Sequence, residues 1–415
     1  MNNSQLPDGY KLTEVGVIPE DWDIKPTKGM ISISHGFAFE GRYFANSGSS
    51  YRLTTPGHFY EQGGFREVGE KQKFYLGEIP SEYILQPGDL IVAMTEQADG
   101  LLGSTAFIPG EGYLHNQRIG RIRTLSPAID LNYLFFVCNS LGYRAKVCET
   151  AAGTKVKHTS PEKLMEISIP IPALPEQRSI ATALSDMDEL LGGLDRLIVK
   201  KRDLKQSAMQ QLLTGKIRLP GFDGKWDVKT FGDVAFPRRD RVDPRRTRLQ
   251  EFCVELEHIA SGSGVLVGST TTSEQSSIKS VFSPGDVLFG KLRSYLRKYW
   301  RSNCFGVCST EIWVLAPKND LIVTEFLFQI VKTDNFVEEA GNSYGTHMPR
   351  SDWKVVSLYQ LVLPPLPEQT AIASILSDMD TEIAAIEQRR NKTRDLKQAM
   401  MQELLTGRIR LKIEA

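Results

Sequence analysis

One stretch of this 415-residue chain occurs twice. LPEQRSIATALSDMDELLGGLDRLIVKKRDLKQSAMQQLLTGKIRL begins at Leu174 and LPEQTAIASILSDMDTEIAAIEQRRNKTRDLKQAMMQELLTGRIRL at Leu366. At a constant offset of 192 they agree at 26 of 46 positions without a gap. A duplication held in register over that length leaves no room for two unrelated structures, so whatever the first copy forms, the second forms too.

Each copy predicts one long helix. Pro175 and Pro367 stand where a first turn tolerates a missing N–H, and Glu176 and Glu368 follow at the positive end of the helix dipole. Gly215 and Gly407 close the two LLTG runs, where a left-handed cap favours glycine. No proline interrupts the interior, although Gly192-Gly193 in the first copy faces Ala384-Ala385 in the second. About 40 residues at roughly 1.5 Å each give a rod of ~60 Å.

The apolar spacing says how the rods are used. Ile180, Leu184, Met187, Leu191, Leu194 and Ile198 step by fours and threes, as do Ile372, Leu376, Met379, Ile383 and Ile386. That is a heptad seam. The phase slips around 200–205 and 392–397, and apolar residues resume at Leu204, Met209, Leu212 and Leu213, matched by Leu396, Met401, Leu404 and Leu405. The seam favours mutual pairing, which needs the least chain if antiparallel. The alternative is two amphipathic helices, each lying on its own domain.

The repeat extends beyond the helices. WDIK at 22–25 returns as WDVK at 226–229, an offset of 204; YILQPGDLIVAMT and SVFSPGDVLFG place a strand–turn–strand at an offset of 197; and AGTK at 152–155 meets YGTH at 344–347 at 192. The offsets shrink toward the helix, so the length changes fall in the globular parts. The chain therefore divides into 1–172, a first mixed α/β head with an N-terminal arm; 173–219, the central helix; 220–364, a second head; and 365–415, the second helix. The predicted class is α+β: two mixed α/β heads separated by long helices that pair as an antiparallel coiled coil, with a pseudo-twofold internal repeat. Helices are predicted near 131–146 and 323–339.

Composition excludes several classes. Hydrophobic residues at 41% and charged residues at 24% describe an ordinary globular protein. Without an apolar run near 18 residues or a signal-like start, neither secretion nor membrane insertion is expected, and the expected location is the cytoplasm. Five unpatterned cysteines argue against a zinc site, and no metal is expected. A net charge of zero argues against indiscriminate coating of nucleic acid but permits local basic surfaces.

Such surfaces are present. In the second head Lys291, Arg293, Arg297, Lys298 and Arg301 interleave with Tyr295, Tyr299 and Trp300, downstream of PRRDRVDPRRTR. Cations among aromatics suit phosphates and base edges. The first head offers Asn116, Gln117, Arg118, Arg121 and Arg123, then the loop with Thr154, Lys155, Lys157 and His158; Thr346, His347 and Arg350 are its counterparts. Solvated loop faces are the plain alternative. Asp186, Asp188, Asp378 and Asp380 read as solvated helix surface, because residues two apart on a helix face apart. There is no P-loop, His-Glu-x-x-His, Gly-x-Ser-x-Gly or amino-methyltransferase Asp/Asn-Pro-Pro-Tyr/Phe motif, so no catalytic residue is assigned: the chain binds and positions.

Two divergent heads, each followed by LPEQ…IA..LSDMD…RDLKQ..MQ.LLTG.IRL, resemble the specificity (S) subunits of type I restriction-modification enzymes over nearly the whole chain. The resemblance implies that each head reads one half of a split double-stranded DNA target and that the helices set the unread spacer. It implies two methyltransferase (M) subunits carrying S-adenosylmethionine for adenine methylation, and two restriction (R) subunits using ATP and Mg2+ for translocation and cleavage, with no cofactor in this chain. The seam would be the conserved coiled coil, 202–206 and 394–398 would offer faces to M subunits, and the Gly153-Thr154 and Gly345-Thr346 loops would lie near DNA. A protein-binding scaffold and a fused methyltransferase are the rival readings.

Overall fold

The computed structural model describes residues 6–96, 100–153, 156–246, 252–318, 320–342 and 350–412. Contacts divide the chain into two compact units, Met1–Gly193 with Arg390–Ala415, and Leu194–Arg389. Each unit holds one head, the first half of the rod helix that follows that head, and the last half of the other rod helix.

In the first unit the main sheet comprises β1 (Ile31–His35), β2 (Leu90–Ala93), β3 (Thr105–Phe107) and β4 (Ile119–Thr124), antiparallel in the order β1-β4-β2-β3. The QPGD stretch forms the turn before β2, with Gly88 at φ 84° and Asp89 Oδ2 accepting from the Gln86 amide at 2.9 Å. Helices α1 (Leu131–Cys138), α2 (Leu141–Thr150) and α3 (Pro161–Glu166) follow. A strand at Ser168–Ile171 then pairs with Asp23–Pro26 and leads into α4 (Leu174–Leu212).

The second unit repeats the plan. Its main sheet is β5 (Ala235–Pro237), β6 (Val287–Gly290), β7 (Tyr299–Arg301) and β8 (Ile312–Pro317), in the corresponding order β5-β8-β6-β7. Helices α5 (Thr324–Val331), α6 (Asp334–Gly341) and α7 (Trp353–Val356) follow, and the strand Gln360–Leu363 pairs with Asp227–Thr230 before α8 (Leu366–Leu404) begins. Each head also carries a five-stranded sheet of short strands.

The helix expected near 131–146 is two helices, as is the one near 323–339. Ser140 Oγ accepts from the Tyr143 amide and Thr333 Oγ1 from the Phe336 amide, both at 3.3 Å, so each hydroxyl starts a new helix. Asn139 is held at the first break by its bonds to Thr105.

The rod helices pair antiparallel, and they do so inside each unit. Ile180, Ala181 and Leu184 join the first head's core together with Leu404 and Leu405 from the far end of α8. Ile372, Ala373 and Leu376 join the second core with Met209, Leu212 and Leu213 from the far end of α4. The seam thus serves both readings at once: its first turns lie on their own head and also meet the other helix. Leu194, Ile198 and Ile383 are buried farther along, while Met187, Leu191, Met379 and Ile386 are half-buried.

Where the apolar phase slips, the structure departs from expectation. Leu204 and Leu396 do not resume the seam; they are 48% and 55% exposed. The lysines beside them turn inward. Lys397 Nζ meets Asp188 at 2.5 Å in the first unit, and Lys205 meets Asp380 in the second. Asp188 and Asp380, still 43% and 33% exposed, are therefore cross-helix partners as well as surface residues, while Asp186 and Asp378 are exposed as expected. A polar pair within an otherwise apolar seam is satisfied at one offset only, which fixes register.

The LPEQ motif is explained by burial. Glu176 is 1% and Glu368 0% exposed, far more than a dipole contact requires. Glu176 accepts from Trp22 Nε1 at 3.1 Å and from Arg410 at 2.7 and 2.6 Å; Glu368 accepts from Trp226 Nε1 at 2.9 Å and from Arg218 at 2.6 and 2.7 Å. Each arginine follows the end of the opposite rod helix. Gln177 and Gln369 then receive the amides of Asp130 and Val323 ahead of α1 and α5, at 2.8 and 2.9 Å. The caps fit this knot: Gly215 and Gly407 have φ 69° and 68°, and a Cβ on Gly407 would come within 2.5 Å of Pro19.

Two predictions follow from these side chains. Glu176→Ala leaves the Arg410 guanidinium and the Trp22 indole without their acceptor, so urea unfolding is expected to show a loss of roughly 2–4 kcal/mol, below the full buried-pair value because Arg410 is partly exposed. Lys332, almost fully buried and 2.5 Å from Asp380, has its pKa pushed down to about 8 by burial and then by Lys205 alongside. The folded chain releases that proton before the unfolded chain, where lysine titrates near 10.5. This group therefore adds stability as pH rises from about 8 to 10.5. Lys332→Met is expected to flatten that rise, measured by urea midpoints across the interval.

Candidate nucleic-acid interface

Both heads build the same main-chain clasp beyond the second strand of the main sheet. After β2 the chain stays extended, and the Met94 amide donates to Arg118 O at 3.1 Å while the Thr159 amide donates to Met94 O at 3.0 Å. After β6, the Lys291 amide donates to Glu311 O at 2.9 Å and the Ser351 amide to Lys291 O at 2.8 Å. Bridges Thr95↔His158 and Leu292↔Arg350 complete the match. Each clasp brings together the turn before β4 or β8 and the loop before α3 or α7.

In the first head this gathers several of the expected residues. Asn116 lies half-buried in the turn, bridged to Phe37, and a Cβ at neighbouring Gly36 would stand only 2.2 Å from Asn116 O. Arg118, Lys157 and His158 are exposed, and Arg118 has no ion-pair partner among the described residues. Glu96 donates its amide to Lys157 O at 2.9 Å, and Ala152 and His158 exchange amide bonds at 2.9 and 2.8 Å. Arg121 sits elsewhere: it is 9% exposed within β4, 3.8 Å from Asp89, with a shielded Nε that has no hydrogen-bond partner, and burial depresses its pKa. It belongs to the sheet. Thr154 and Lys155 lie outside the described residues.

In the second head the basic stretch divides. Arg293 is exposed, and Tyr295 is 59% exposed. Arg297 instead bonds Asp334 and Lys332 O, and Lys298 Nζ donates to Ile259 O at 2.7 Å. Arg301 pairs with Glu325, and Tyr299 and Trp300 are buried. Arg293 and Arg297 flank one 3-10 turn with φ of 54° and 51°, the left-handed region where a long side chain is strained. Lys291 is half-buried, its pKa lowered by burial despite nearby Glu311, and Arg350 Nη2 donates to Glu311 Oε1 at 2.6 Å. Upstream, Arg238 and Arg245 are tied to Asp286 and Asp243, whereas Arg239 and Arg241 are exposed. Thr346 and His347 lie outside the described residues.

Three residues that the sequence did not single out also lie at or beside these segments: Glu311, Thr95 and His35, the last exposed at the end of β1. Extended at an offset of 193, the repeat sets Glu311 opposite Arg118.

The type I restriction modification DNA specificity domain matches residues 19–196 and 269–393, more than half of the chain and parts of both repeats. The chain belongs to this specificity-domain family. It is 29% identical to the MjaVIII specificity subunit of Methanocaldococcus jannaschii over 51% of this chain and 49% of that protein, so it spans about half the length of that relative. It is 24% identical to the putative MjaX specificity subunit of the same organism, over 98% of this chain and 97% of that one. Among solved structures, the S subunit from M. genitalium superimposes with a TM-score of 0.59 at 16% identity, covering 95% and 97% of the two chains. The specificity fold, two recognition heads and a paired helical rod, is thus shared over nearly the full length. Among the described residues no helix is long and apolar enough to cross a membrane.

The clasp geometry separates two arginines that the sequence groups together. Arg293→Ala is expected to weaken DNA binding and lower the salt slope by about one unit if it meets a phosphate, whereas Arg297→Ala is expected to change chiefly thermal stability, by under about 1 kcal/mol. Fluorescence anisotropy over a salt series, beside a melting curve, distinguishes them.

Proposed function

We propose that this chain is the non-catalytic specificity subunit of a type I restriction-modification complex, each clasp reading one half of a split double-stranded DNA target. The observation that carries this reading is the clasp itself. One main-chain frame occurs twice and presents Arg118, Lys157 and His158 in one head, and Lys291, Glu311 and Arg350 in the other. Identical frames with different contents suit two readers of different sequences.

The rod supplies the second half of the reading. A stiff connection turns two short readings into one event, because the second contact forms at high effective concentration with little linker entropy to lose. Each wrong base pair costs about 1–3 kcal/mol, so short half-sites discriminate well only when both must be satisfied together. The separation of the heads along the rod would set the unread spacer. On this frame two M subunits with S-adenosylmethionine would methylate an adenine in each half-site, and two R subunits with ATP and Mg2+ would cleave unmethylated DNA. The cofactors reside on those partners, and the outward faces of 202–206 and 394–398, including exposed Leu204 and Leu396, are docking candidates.

Replacing residues 220–364 with the corresponding head of another family member, in the complex with methyltransferase, is expected to change one half-site in the methylome and leave the other intact. A change in both halves would sink the independent-reader model.

A further inference from the structure

Between β6 and β7 the second head uses residues 291–298 for a connection that antiparallel neighbours commonly make with two residues. Lys291 and Leu292 belong to the clasp. The rest is a closed turn: the Leu296 amide donates to Arg293 O and the Arg297 amide to Ser294 O, both at 2.8 Å, with Arg293 and Arg297 left-handed on either side. Such backbone costs of order 1–3 kcal/mol per residue, persists only where the surroundings impose it, and clusters at ligand clamps.

Here it is imposed from two sides. Ser294, 4% exposed, donates from Oγ to Val337 O of α6 at 3.4 Å. Opposite, the Gly262 amide donates to Arg297 O at 2.9 Å, and Tyr299 Oη, on a side chain 3% exposed, donates to Gly262 O at 2.9 Å. The first head anchors its own connection by other chemistry. Arg144, the fourth residue after Ser140 as Val337 is after Thr333, donates to Leu102 O at 2.7 Å and to Glu61 O at 3.1 Å. With Ser294 held inward, Arg293, Tyr295 and Leu296 are left in solvent, the last two 59% and 38% exposed.

Single exposed apolar side chains are ordinary. These stand on a main chain that is strained, anchored on both sides and continuous with the clasp, so it cannot fold them away. A ring on fixed backbone gives up little freedom when it meets a partner. On DNA, phosphate contacts position a protein and base contacts specify the sequence, including apolar contacts made in a groove.

We infer, on the DNA-reading function proposed above, that the turn 293–297 is a second reading element of the second head, in which Tyr295 is a specificity-determining residue making an apolar contact with a base pair. Ser294 and Tyr299 are positioning residues that hold the turn, and Arg293 anchors it to a phosphate.

The test uses the full chain with its methyltransferase partner, a randomised duplex library sequenced after binding, and a salt series. Tyr295→Ser is expected to relax one base pair of one half-site by roughly 5- to 150-fold. Its salt slope is expected to stay unchanged, because no charge is lost. Tyr299→Phe, which removes only the hydroxyl bonded to Gly262 O, is expected to relax the same base pair by a smaller factor and to add nothing in the Tyr295→Ser background. Tyr133→Phe removes a hydroxyl bonded to Pro170 O at 3.0 Å in the first head's core; it controls for lost stability and is expected to leave both half-sites intact. Unchanged selection in Tyr295→Ser, or an even weakening across the half-site, would overturn the turn as a reader. A Tyr299→Phe effect that adds to Tyr295→Ser, or that the control reproduces, would overturn the positioning role. A wild-type complex that selects no sequence would instead sink the DNA-reading function itself.

Discussion

A buried carboxylate at the first turn of each rod helix is the interaction on which the rest depends. Glu176 and Glu368 are out of water, and a buried anion is tolerated only where donors converge on it. Those donors come from two distant parts of the chain: a tryptophan at the start of the same repeat, and an arginine beyond the end of the opposite helix. Satisfying one anion thus ties the opening strand of a head, the beginning of its rod helix and the end of the other rod helix into a single knot. A head is consequently not a continuous segment, and its core closes only when Leu404 and Leu405, or Leu212 and Leu213, arrive from elsewhere.

Register along the rod has a second source. Apolar seams tolerate slippage, because one leucine contact resembles the next. The Asp188–Lys397 and Asp380–Lys205 pairs do not, since a slip of one turn leaves a lysine against apolar side chains with no acceptor. In the second unit Lys332 joins the same aspartate from the head and binds head to rod through a shared charge. Burial, and after it the neighbouring Lys205 on the same carboxylate, explains why Lys332 gives up its proton more readily than an ordinary lysine.

Much of this was legible in the sequence because the duplication doubled every signal. The rods, their caps and their pairing follow from Pro175, Gly215 and the spacing of the isoleucines and leucines. The QPGD and SPGD turns follow from glycine and aspartate chemistry. The roles of Glu176, Asp188 and Lys205 were hidden, since a buried charge and a solvated one look alike until the partner across space is known. Arg121 and Arg297 show the same limit within the heads: arginine in a strand or turn reads as surface, and only packing reveals that one enters a sheet and the other caps a fold contact with Asp334.

The two kinds of contact also explain why the rods kept their identity while the heads diverged. Rod contacts run from side chain to side chain, glutamate to arginine and aspartate to lysine, so losing the arginine strands a buried glutamate and losing the aspartate strands a largely buried lysine. The clasp is held by amides and carbonyls, which every residue but proline supplies in full. A mutation at 95, 118 or 158, or at 291 or 292, changes the side chain the clasp carries while leaving its amide and carbonyl bonds in place, whereas 311 and 350 are also joined by their own ion pair. The side chains at these positions are therefore freer to change than the main-chain frame that carries them, and freer than the rod contacts, where one altered partner leaves the other without its counter-charge.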